Sequence, residues 1–221
     1  MEPFFVILVA FIIGAIIAYG IYAAAKRRKE LSQWARNHGL HFDASKIYDM
    51  DSNYCDFKCL QQGRRRFAYN IMAGRHHDRE LMAFDYQYTT GSGKNKHTHR
   101  FSAMIVVSPI PLKPLFIRRE GFFDKITEFF GADDIDFESA EFSRKFFVKS
   151  PNKKWAYDVI HQRMMEYLLT APKLSIQMSG DSIIAWSNLT FSTKDFQDAF
   201  GMIEGIIERF PEYLVKQQTG R

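Results

Sequence analysis

An α+β domain hung on one membrane-spanning helix is the architecture this sequence predicts, and three observations predict it. The first 25 residues are almost wholly apolar, the middle of the chain strings short β-branched and aromatic runs between turn residues, and the last third places apolar residues at helical spacing. Strand runs mixed with unevenly placed helices, rather than strict alternation, favour α+β over a doubly wound sheet. The expected organisation is an anchor at 1–25, a basic juxtamembrane helix at 26–39, and one domain at 40–221 with a mostly antiparallel sheet and about four helices.

Residues 3–25 carry no charge. As a helix they span about 34 Å, enough for a hydrocarbon core of about 30 Å. Lys26, Arg27, Arg28 and Lys29 follow at once, whereas only Glu2 and the amino terminus flank the other end. The positive-inside bias then makes this a single-pass protein of the inner (plasma) membrane with its bulk in the cytoplasm, those four cations lying against anionic lipids of the inner leaflet. Ala23, Ala24 and Ala25 resemble a signal-cleavage site, but no basic residue precedes the apolar run and four follow it. Tyr19 and Tyr22 fall at the inner interface, where amphipathic rings are favourable. Ala10, Gly14 and Ala18 repeat every four residues on one face, a spacing that allows two spans to pack closely as a homodimer, beside the plainer reading that small residues are common in such helices.

Beyond the anchor, Leu31, Trp34 and Ala35 set a helix over 28–38, with Gly39 at the cap position. Strands are expected at 40–43, 57–60, 67–73, 80–89, 99–107 and 115–118, forming an antiparallel meander. Within 81–88, Met82, Phe84, Tyr86 and Tyr88 share one face, and Leu81, Ala83, Asp85 and Gln87 the other. After Gly121, Phe122, Ile126, Phe129 and Phe130 repeat at helical spacing. A strand follows at 141–149, then a long helix at 152–170 with Arg163 on its apolar stripe, where it needs a carboxylate partner or a route to water. Segments 174–178 and 182–186 read as a hairpin around Gly180 and Asp181. A last helix starts at Ser192 or Thr193 and stops at Pro211.

The search for chemistry is mostly subtractive. Two cysteines, four apart at Cys55 and Cys59, suit neither a disulfide scaffold nor a redox motif. The run from Tyr88 to Asn95 has the glycines of a phosphate loop but lacks its first glycine and its magnesium-binding hydroxyl, and it joins two strands. Lys94, Lys96 and Arg100 on that loop instead suit an acidic partner or anionic headgroups. The pairs His76/His77 and His97/His99 lie at opposite ends of a strand, about 30 Å apart, so no metal site is expected. The acids at 133–138 lack the glycine of a calcium loop, and no nucleophile elbow is present. No catalytic residue and no cofactor follow. A net charge of +5 admits nucleic acid, but the anchor and the missing binding motif argue against it.

Segments 84–99 (FDYQYTTGSGKNKHTH) and 136–169 (DFESAEFSRKFFVKSPNKKWAYDVIHQRMMEYLL), together with Trp34-Ala35 and Gly39-Leu40-His41-Phe42, resemble a family of bacterial single-pass membrane-anchored proteins without an assigned activity. The resemblance implies a bacterial inner-membrane protein and brings no catalytic residues. Gln162 stands where that pattern has proline, so the helix at 152–170 is expected to run unbroken. The functional expectation is a binding or scaffolding module for an unidentified protein partner on the cytoplasmic face. Two alternatives accompany it: an enzyme acting on a membrane-proximal substrate with a pocket near Tyr86, His97, His99, Glu138 and Arg163, and a ligand sensor coupled to dimerisation.

Overall fold

The computed structural model describes residues 3–121 and 134–219. The helix expected around Phe122, Ile126, Phe129 and Phe130 lies outside them. Helix α1 (Pro3–Asn37) runs unbroken. Its N-terminal stretch is exposed and strongly apolar, with a mean hydropathy of 2.8, while Leu31 and Ala35 are buried against the domain. Gly39, with φ of 70°, ends it as the sequence suggests.

The rest of the described chain builds the domain around one six-stranded sheet. Strand β1 (His41–Asp43) pairs with β2 (Arg64–His76), β2 with β3 (Arg79–Thr90), and β3 with the long β4 (His97–Arg119), all antiparallel. The far half of β4 then takes β5 (Phe146–Lys149) on one edge, and β6 (Ser175–Trp186) runs along the other. The meander expectation therefore holds, with two merged strands. Pro109, Pro111 and Pro114 do not end β4 but fall where its pairing with β6 shifts register, because a proline cannot donate to the ladder. Opposite that irregularity lies Gly180, paired with Leu112, at φ of 60°. Gly180 thus kinks one continuous strand, and the hairpin expected there is corrected: the bend in β4 is matched by a bend in β6.

Both sheet faces are covered. Helix α1, α4 (Lys153–Val159), α5 (Gln162–Thr170), α6 (Thr193–Ile207) and α7 (Glu212–Thr219) contribute to the larger core, with Met72, Leu81, Ala83, Met104 and Ile183. The smaller core sits on Phe84, Tyr86, Phe101 and Trp186 beneath the segment that carries α2 (Met50–Asn53). Residues 57–60 belong to that cover. Instead of the expected strand they form a 3₁₀ turn (Lys58–Gln61), whose Lys58 amide donates to the Gln177 side chain at 3.0 Å.

Two other expectations are corrected by capping. The N-terminal part of 141–149 is helix α3 (Ala140–Lys145), because the Ser139 hydroxyl accepts from the Phe142 amide and Glu141 pairs with Lys145 at 2.6 Å. The helix at 152–170 is broken at Ile160 and His161 into α4 and α5. Gln162 is the first residue of α5, the position where proline fits a helix best, so the break occurs here without proline. Of the two expected caps, Ser192 and Thr193, it is Ser192 that caps α6, through a reciprocal box with Asp195. Pro211 does not close the chain: its carbonyl accepts the amides of Leu214 and Val215 at the start of α7.

Candidate functional site: a clamp between the anchor and the sheet

The cations that leave the apolar span do not share one environment. Helical spacing carries Arg27, Leu31, Trp34 and His38 down the side of α1 that meets the sheet, while Lys26, Arg28 and Lys29 are exposed. Arg27 meets Asp85 of β3 in a two-pronged pair: Nε donates to Oδ2 at 2.8 Å and Nη2 to Oδ1 at 2.6 Å. The sequence grouped Arg27 with lipid-facing cations; the structure gives it a protein carboxylate. The available signal was its place four residues before Leu31, on the same stripe.

Asp85 is fully buried and further bonded. Asn70 Nδ2 donates to Oδ2 at 2.8 Å, and the Ser102 hydroxyl donates to Oδ1 at 2.6 Å. Asn70 reaches it from a left-handed backbone (φ 51°) at the irregularity in β2 between Tyr69 and Met72, a conformation asparagine tolerates better than most side chains. The circuit closes through Phe191, whose amide donates to Ser102 Oγ at 2.8 Å and whose carbonyl accepts from Arg27 Nη1 at 2.9 Å. Burial alone would disfavour the charged guanidinium, but the hydrogen bonds to Asp85 and its charge outweigh this and raise the Arg27 pKa. Four donors thus converge on the two oxygens of Asp85. Its chemistry is attachment of the anchor helix to the sheet.

The other sequence-derived residues do not gather into one pocket. Tyr86 is buried in the smaller core, its hydroxyl donating to the Leu60 carbonyl at 2.8 Å, and burial raises its pKa. His97 and His99 are exposed at the start of β4, where His99 stacks on Tyr88 and bonds Thr90 Oγ1 through Nε2 at 2.8 Å. Glu138 lies exposed just before α3. Arg163 is exposed on the first turn of α5, because the break at Ile160 and His161 resets the helical phase and takes it off the apolar stripe. Lys94, Lys96 and Arg100 are exposed on the β3–β4 hairpin. Cys55 is exposed and Cys59 buried, and among the described residues no cluster of metal-ligating side chains occurs. Ala10, Gly14 and Ala18 are exposed along α1.

Fold and clamp together define an apolar N-terminal helix, of a length to cross a membrane once, locked to a mostly antiparallel α+β domain. The same fold occurs in the crystal structure of the mycobacterial trehalose monomycolate transport factor A, TtfA. The similarity has a TM-score of 0.60 at 13% identity and covers 82% of this chain and 92% of that one. No family model and no curated protein sequence matches the chain.

Proposed function

We propose that this protein is a membrane-anchored binding module, an accessory to a system that moves envelope lipids, with its domain on the cytoplasmic face of a bacterial inner membrane. The observation that carries the reading is the Arg27–Asp85 clamp, which fixes a folded domain directly under a single span. A rigid mount of this kind suits a protein that presents a surface to a membrane neighbour. The likeness to a transport factor supports the envelope-lipid context, and the exposed Lys26, Arg28 and Lys29 support the cytoplasmic side. The test is photo-cross-linking of the full-length chain in its native membranes, with reactive residues placed on the sheet-side loops. A discrete adduct with an integral membrane protein is expected, and it should vanish when Asp85→Ala releases the mount. Adducts to lipid alone would overturn the reading.

A further inference from the structure

We propose that the β3–β4 hairpin end of the sheet is a second membrane contact, seated on the headgroups of an anionic leaflet. This shares with the preceding reading only the anchor in the bilayer; it requires no transport partner.

Direction comes from the clamp. Along α1 from Arg27 to His38, the contacts on the sheet pass from Asp85 to His76, whose Nδ1 meets the His38 carbonyl at 3.1 Å. The opposite direction along the helix enters the membrane, and in that direction β3 continues from Asp85 to Thr90 and turns into His97 of β4. Five residues of extended chain carry the hairpin about 16 Å past the clamp. Tyr22 and Tyr19 lie about 7 and 12 Å before Arg27 on α1, inside that reach. The hairpin therefore extends along the direction of α1 as far as the turns that carry the interfacial aromatics.

Its chemistry matches that depth. No acidic residue occurs between Asp85 and Glu120. Every residue from Gly91 to Arg100 is exposed, and Lys94 and Lys96 stand at the tip. Arg64 and Arg65 open β2 beside it, with Arg64 Nη2 donating to the Gly91 carbonyl at 3.1 Å. Arg100 pairs across the ladder with Gln87, two positions membrane-ward of Ser102 and Asp85, and so lies on the face that α1 covers. On the neighbouring edge the Leu189 carbonyl accepts the Ser102 amide at 3.1 Å, leaving its side chain 74% exposed at the level of the clamp. Unopposed cations with a projecting leucine beside a span are the composition that an anionic interface attracts.

The experiment is hydrogen exchange on the full-length chain in phosphatidylcholine nanodiscs, with and without about a quarter of phosphatidylglycerol. Amides of 91–97 are expected to exchange roughly tenfold more slowly in the anionic discs, and the protection should weaken in about 0.5 M salt. The pair Lys94→Glu and Lys96→Glu should remove the difference, while amides of 84–86 keep their protection and report an intact sheet. Equal exchange of 91–97 in both discs with the wild-type chain would overturn the proposal and leave these cations to an acidic protein surface. Loss of that cross-linked neighbour with the disc result intact would instead count against the transport reading alone.

Discussion

Arg27 and Lys94 are cations at the same end of one sheet, and their surroundings could hardly differ more. Arg27 is partly buried and held by a carboxylate that Asn70 and Ser102 also bond; Lys94 stands in solvent on a hairpin that carries no acid. A largely buried charge pair derives its effect from geometry and is screened far less by salt, whereas exposed cations act through a long-range field that salt screens. This end of the sheet therefore holds two devices of one sign: one fixes the pose of the domain, and the other presents charge to whatever lies beside it.

The largest expected effect is at the clamp. Asp85→Ala leaves Arg27 unpaired against the sheet and strands Asn70 and Ser102, and should cost about 3–5 kcal/mol in denaturant unfolding of the detergent-solubilised protein. Pairing it with Arg27→Met should recover part of that loss, since it removes the orphaned guanidinium while Asn70 and Ser102 stay without the carboxylate. Next comes Ser102→Ala, which removes one donor to Asp85 and the acceptor for the Phe191 amide and should cost about 1–2 kcal/mol. Lys94→Glu with Lys96→Glu should leave unfolding within about 0.5 kcal/mol of wild type, which separates the two devices; a loss as large as that of Ser102→Ala would erase the distinction.

The smallest effect belongs to the far end of α1, where His38, His76 and His77 lie close together, with ring centroids of His38 and His76 5.0 Å apart. Burial, then the charges of His77 and His38, hold the His76 pKa below its ordinary value. The folded state thus binds fewer protons than the unfolded chain just below about pH 6.5, and stability falls as the pH drops through that window. His76→Gln should flatten this part of the pH–stability curve, and an unchanged slope would assign it to other groups.

Much of the fold was legible because local rules decide it. The anchor, the antiparallel sheet, the α6 cap and the turn at Gly39 each follow from a few adjacent residues. What misled were signals whose meaning depends on a distant partner. Gly180 reads as a turn until β4 is known to bend opposite it. The long apolar period at 152–170 hides a break that places Arg163 in solvent. Asp85 stands 58 residues from Arg27, and nothing near either one announces the other. The candidate site was thus visible only as its parts: a basic run after a span, and an aspartate on the same strand face as Leu81 and Ala83.

The length of α1 has a mechanical consequence. No glycine or proline follows Gly20 in that helix, so the rod is stiff from the domain-proximal part of the apolar stretch to the clamp. Rotation of the span about its own axis is then delivered to the sheet as the same rotation, and the two share one azimuth. A single alanine inserted after Ala24 would lengthen the rod by only about 1.5 Å but turn it by about 100°, so that a different side of the span faces the flank on which the domain stands. A neighbour that grips the span laterally and one that grips the sheet would, through this shaft, feel each other's torque.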